Sequence, residues 1–69
     1  MDQYYVNNRT ETNPHKDHEV HKAGCRYMPI YDRTALGLHR NCKSAVLEAK
    51  KKYSNSDGCK TCCPECHSH

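Results

Sequence analysis

Two CxxC steps stand end to end near the C-terminus, Cys59-Lys60-Thr61-Cys62 and Cys63-Pro64-Glu65-Cys66. The segment from Cys59 to His69 holds four Cys and two His among its eleven residues and has no apolar periodicity. It cannot be held by hydrocarbon burial, so its cysteines must anchor it through a metal or through disulfides. The rest of the 69-residue chain offers little help, with no Trp, no Phe and a mean hydropathy of -1.12. Seven Val/Ile/Leu, four Ala and two Met are the aliphatic material available for a core. A domain this small buries only about 60% of its unfolded surface, and chains below roughly 70 to 80 residues usually need a staple. One domain spanning residues 1–69 is the expectation.

The compartment decides which staple to expect, since thiols stay reduced in the cytosol and pair outside it. The N-terminal residues show no basic region followed by an apolar run, and no stretch approaches the ~18 apolar residues of a membrane helix. The reading is a cytoplasmic monomer without a membrane partner, in which the cysteines bind metal.

Gln3–Asn7 is aromatic and β-branched and reads as a strand, followed by a polar loop through Asn13-Pro14. Asp17–His21 alternates, with His18 and Val20 on one face and Glu19 and His21 on the other, a second strand hairpinned on the first. Ala23-Gly24 is a turn, Cys25–Thr34 a loop, and Ala35–His39 a third short strand. Asn41–Tyr53 is the helix. Asn41 is its N-cap, Cys42, Ala45, Val46, Ala49 and Tyr53 form one apolar stripe, and Lys50, Lys51 and Lys52 complement its C-terminal carbonyls. Asn55–Gly58 are turn formers that end it. The fold class is therefore α+β: a two- or three-stranded antiparallel sheet, one amphipathic helix and a metal staple.

One CxxC turn supplies half of a closed tetrahedral Zn2+ site. The other half is expected from His21-Lys22-Ala23-Gly24-Cys25, where Gly24 lets the backbone bend just before the thiolate. The expected ligands are His21, Cys25, Cys59 and Cys62, holding one Zn2+, with iron as the alternative metal. His18 competes with His21 if the strand has the opposite phase. Cys63 and Cys66 compete with Cys59 and Cys62. They also fit a redox couple, or a second ion bound with His67 or His69. Cys42 is expected to pack in the core as a free thiol, and His39 to be solvated.

The HxxxC pair, the helix and the CxxC together look like the zinc-binding domain of Ada-type DNA alkylation repair proteins. The segments His18-Glu19-Val20-His21, Gly24-Cys25 and Asp57-Gly58-Cys59 through Cys62-Cys63-Pro64-Glu65-Cys66-His67 resemble a group of short, uncharacterised bacterial proteins. The first resemblance implies a small sheet, a helix and one zinc at His21, Cys25, Cys59 and Cys62. Its methyl transfer to a zinc-bound cysteine does not carry over, because the position of the acceptor is His21.

A net charge of +3 falls to about +2 once three thiolates bind Zn2+. Lys22, Arg26, Arg33, Arg40 and Lys43, with Tyr27 and Tyr31, are scattered and read as a solvated surface more readily than as a nucleic-acid footprint. Phosphate loops and Ser nucleophile motifs are absent, and the histidines of His18-Glu19-Val20-His21 are three apart, unlike HExxH. The expectation is a non-catalytic zinc-binding module that engages a protein or nucleic-acid partner. The alternative is a thiol redox or metal-handling protein that uses Cys62, Cys63 and Cys66.

Overall fold

A computed structural model of the chain describes residues 1–11 and 15–68. The expected turn at Asn13-Pro14 and any role of His69 lie outside the described residues. The elements are β1 (Asp2–Asn7), β2 (His18–Lys22), β3 (Arg33–His39), α1 (Cys42–Lys52), β4 (Ser56–Gly58) and a 3₁₀ turn at Pro64–Cys66. The α+β class holds, but the sheet has four strands in the order β3-β1-β2-β4, where two or three were expected. It is also mixed: β1 is antiparallel to β2 and β3, while β2 and β4 are parallel. Ser56–Gly58 carries no strand propensity. It becomes a strand because it pairs with His18–Val20 at the sheet edge, a contact that no local signal encodes.

The third strand starts at Arg33, two residues earlier than its apolar pattern suggests. Its pairing with β1 slips between Tyr4/Tyr5, so that Leu36 is an extra residue and Gly37 sits at φ +89°. The bulge reverses the alternation. Leu36 packs against the core, whereas Leu38, two residues on, is exposed and His39 turns inward. His39 is thus no solvated residue: its ring bonds Ser44 Oγ and the Leu36 carbonyl, each at 2.8 Å, and packs edge-on against Tyr4.

The helix forms where its pattern places it. Asn41 accepts from the Lys43 amide, Cys42, Ala45, Val46 and Ala49 are buried, and Tyr53 closes the C-terminus through its N–H to the Ala49 carbonyl. The stripe packs on Tyr4, Val6 and Val20, with Cys63 completing this core. His18 lies on the same side, stacked on Tyr53 with ring centroids 3.7 Å apart.

Because β2 and β3 both run antiparallel to β1, residues 23–32 form a crossover between parallel strands. α1 forms a second crossover, from β3 to β4, running the opposite way along the sheet. Crossovers of this kind are right-handed almost without exception, so the two occupy opposite faces. The helix packs on the Val20 face, and at the ends of the other crossover Cys25 approaches Cys59 and Arg33 lies over Tyr5. Among the described residues no helix is long and apolar enough to cross a membrane.

Candidate metal centre

His21 is brought to the site by strand alternation. Val20 faces the helix, so His21 points to the opposite face, where it is fully buried. Two residues past β2 the chain turns through Gly24, at φ +94°, and the Cys25 amide closes the turn onto the Lys22 carbonyl at 3.1 Å. Cys59 arrives because its amide donates to the Val20 carbonyl at 2.9 Å, extending the parallel β2–β4 pairing by one step. The following turn closes with Cys63 N–H on the Cys59 carbonyl at 2.8 Å and swings Cys62 back to β2, where the Lys22 amide donates to its sulfur at 3.3 Å.

The ligand atoms of His21, Cys25, Cys59 and Cys62 then lie within 4.8 Å of one another. The Cys25 and Cys59 sulfurs are 3.9 Å apart, and Cys62 Sγ is 3.9 Å from His21 Nδ1. A tetrahedral Zn2+ with Zn–S near 2.3 Å separates its sulfurs by about 3.8 Å, which the Cys25–Cys59 spacing matches. His21 Nδ1 faces the sulfurs, and buried Nε2 makes no hydrogen bond. Glu19 Oε1 lies 3.6 Å from Nε2. A ligating histidine commonly directs its second nitrogen at such a carboxylate, which orients the ring. The group of one imidazole and three sulfurs can hold a metal ion.

The electrostatics fit the same role. Burial lowers the His21 imidazole to about 4, so it is neutral at pH 7 and its contact with Glu19 is not an ion pair. Burial raises the Cys62 thiol well above the ordinary thiol range, opposed by the Lys22 amide that favours its thiolate. Cys63 is raised as well, chiefly by burial. Glu19 is raised by burial, then by nearby Asp17. With burial favouring the protonated thiol of Cys62, a cation would have to displace a proton there, while neutral His21 has none to lose at Nδ1 once Nε2 carries the hydrogen.

Of the alternates, His18, His67 and Cys66 lie elsewhere, and Cys63 borders the group without joining it. His18 is on the helix face, its Nδ1 3.0 Å from the Asn7 carbonyl. His67 is held at β4, with Nδ1 3.0 Å from the Gly58 carbonyl and 3.3 Å from Asp57. Cys63 is buried in the helix-side core with its sulfur 3.8 Å from that of Cys62. Cys66 is bonded to Cys42 in a disulfide across a sequence separation of 24. This corrects two expectations: Cys42 is buried but is no free thiol, and Cys63 and Cys66 do not form a couple. The two CxxC steps diverge in their partners: Cys62 joins His21, Cys25 and Cys59, Cys66 is bonded to Cys42, and Cys63 lies between them at the edge of the helix-side core.

Three contributors were missed in the sequence. Glu19 gave a faint signal through its place beside His21 on the ligand face, but the Cys42–Cys66 pairing gave none. Gly58 was read only as a turn former. A Cβ there would lie 2.7 Å from Cys66 Cβ and 2.9 Å from both the Cys63 carbonyl oxygen and the Cys66 carbonyl carbon, so the tail seats against β4 only over glycine.

The fold and cluster thus define a small α+β domain with a Cys3His group at the junction of a sheet, a crossover loop and a cysteine-rich tail. No family model, curated protein or solved structure matches the chain.

Proposed function

We propose that this chain is a zinc-binding domain in which one Zn2+, held by His21, Cys25, Cys59 and Cys62, does the structural work that its small core cannot. The observation that carries the reading is the approach of four ligand atoms to within 4.8 Å from two stretches of chain far apart in sequence, His21–Cys25 and Cys59–Cys62. A Cys3His set suits zinc, and four protein ligands leave no open position for substrate, which favours a structural ion over a catalytic one. The domain serves as a non-catalytic module that displays a surface to a protein or nucleic-acid partner. The Ada-type resemblance contributes only its scaffold to this proposal, and no methyl transfer is proposed.

Native mass spectrometry of untagged protein, before and after a strong chelator and read to one dalton, tests the proposal. The expected result is a monomer carrying one zinc that the chelator removes. Cys25→Ser and Cys59→Ser should lose the ion, whereas Cys63→Ser keeps it. A metal-free mass in zinc-supplemented medium would overturn the reading. The same spectrum reports the Cys42–Cys66 bond as two missing hydrogens. In the cytoplasm we propose for this chain, that pair is expected to be reduced while zinc is retained.

A further inference from the structure

The chain has a single Ile and only seven Val/Ile/Leu, yet Ile30 is 77% exposed, between Tyr27 at 61% and Tyr31 at 82%. A protein so short of core material leaves its one isoleucine and two of its five tyrosines in water within five residues. These side chains stand on the crossover loop, which is fixed at both ends. At one end is Cys25 of the metal centre, and at the other the Asn8 amide donates to the Asp32 carbonyl at 2.8 Å. Arg33 braces it by donating to the Pro29 carbonyl at 3.2 Å while its guanidinium lies 4.5 Å from the centre of the Tyr5 ring. The loop is therefore a held platform, which lowers the cost of ordering it on binding.

The composition of 26–33, Arg-Tyr-Met-Pro-Ile-Tyr-Asp-Arg, selects the occupant. Tyr, Met and Arg are enriched at protein interfaces and Lys is depleted there. None of the seven Lys falls in this stretch, whereas two of the four Arg do. Phosphate contacts draw on Arg and Lys alike, but exposed Ile30 between the two tyrosines is an aliphatic anchor that a phosphate backbone cannot use, so the balance favours a polypeptide. Asp32 is the one carboxylate of the stretch against Arg26 and Arg33, and Arg9, 3.9 Å from Asp32, is already paired with Glu11 at 2.9 Å, so the rim carries a net positive charge. A second copy of the chain would set arginines against arginines, so charge complementarity points to an acidic partner. The three exposed side chains offer about 450 Å² of surface, below the ~800 Å² per side of a standard interface, which suits a short segment.

We propose that the crossover loop of residues 26–33 is a docking surface for an acidic peptide segment. Apolar anchors of the peptide seat on Tyr27, Ile30 and Tyr31, and its carboxylates meet Arg26 and Arg33. This deepens the partner named in the functional reading and relies on the metal only to anchor the loop at Cys25.

The probe is a phage-displayed library of random 12-residue peptides, panned on protein whose zinc content has been measured. Consensus peptides are then synthesised and titrated by fluorescence anisotropy. Selected peptides should carry aromatic or aliphatic anchors flanked by Asp or Glu. Their affinity should fall at least tenfold for Ile30→Ser, Tyr31→Ser and Arg26→Glu at unchanged zinc content, and stay within twofold for Leu47→Ser on the helix. Failure to enrich, selection of non-acidic peptides, or equal binding by the loop variants would overturn the proposal. So would tight binding of a fluorescent dT20 through the same residues, which would make the loop a nucleic-acid surface. Protein that selects the peptides without carrying zinc would uphold the docking surface and remove the metal reading. Zinc-loaded protein that selects none would do the reverse.

Discussion

At the scale of single residues, the decisive group is His21, a fully buried imidazole whose Nδ1 faces three sulfurs and whose Nε2 faces Glu19. Its pKa lies below the unfolded value of 6.5, at about 4, so the unfolded chain takes up a proton that the folded chain refuses between those limits. The stability this contributes is complete above pH 6.5 and is lost as pH falls toward 4, amounting to up to about 3 kcal/mol. We expect the urea midpoint of the zinc-free, disulfide-intact protein to fall between pH 7 and pH 4.5; a midpoint independent of pH over that range would contradict this account of His21. Gly58 belongs to this scale as well. Gly58→Ala forces a methyl group into space already filled by Cys63 and Cys66, and is expected to cost about 2 kcal/mol of stability and to weaken zinc binding. Unfolding titrations and competition with a chromogenic chelator check both effects.

At the scale of elements, the tail is tied on both faces of the sheet, to the candidate metal centre through Cys59 and Cys62 and to the helix through Cys42–Cys66. Cross-linking across 24 residues is worth about 3 kcal/mol by the loop-entropy relation. Reduction, or the double substitution Cys42→Ala and Cys66→Ala, should therefore lower the unfolding free energy of the zinc-loaded protein by that amount while leaving one zinc bound. Loss of the ion on reduction would instead mean that the two ties are one device. The helix was readable because its N-cap, apolar stripe and basic last turn agree with one another. The fourth strand was not, because Ser56–Gly58 pairs only after the helix has carried it back to β2.

At the scale of the whole molecule, the radius of gyration is 10.2 Å, against about 11 Å for a compact chain of this length. Compactness is reached with a core of Tyr4, Val6, Val20, Cys42, Ala45, Val46, Ala49 and Cys63, all on the helix side. The opposite side has no comparable cluster among the described residues, and there the Cys3His group joins β2, the crossover loop and the tail. Removing zinc should leave that side unheld. We expect chelation to lower Tm by at least ~20 °C with the disulfide intact, and to abolish cooperative melting once it is also reduced. An unchanged circular dichroism spectrum and melting curve after chelation would show that the helix-side core suffices.

The amino-acid sequence by itself determined the α+β class, the helix and its buried face, and the small pool of candidate ligands from which His21, Cys25, Cys59 and Cys62 come. These follow from periodicity, capping and the short reach of HxxxC and CxxC turns, all of them local. Only the tertiary structure decided the phase of β2 that takes His21 over His18, the parallel edge strand, the bulge that exposes Leu38, the partner of Cys66 and which CxxC sulfurs join the group. Those depend on which distant segments meet. Cysteine is equally suited to a metal, a disulfide and a core, and only the geometry of the assembled sheet selects among them.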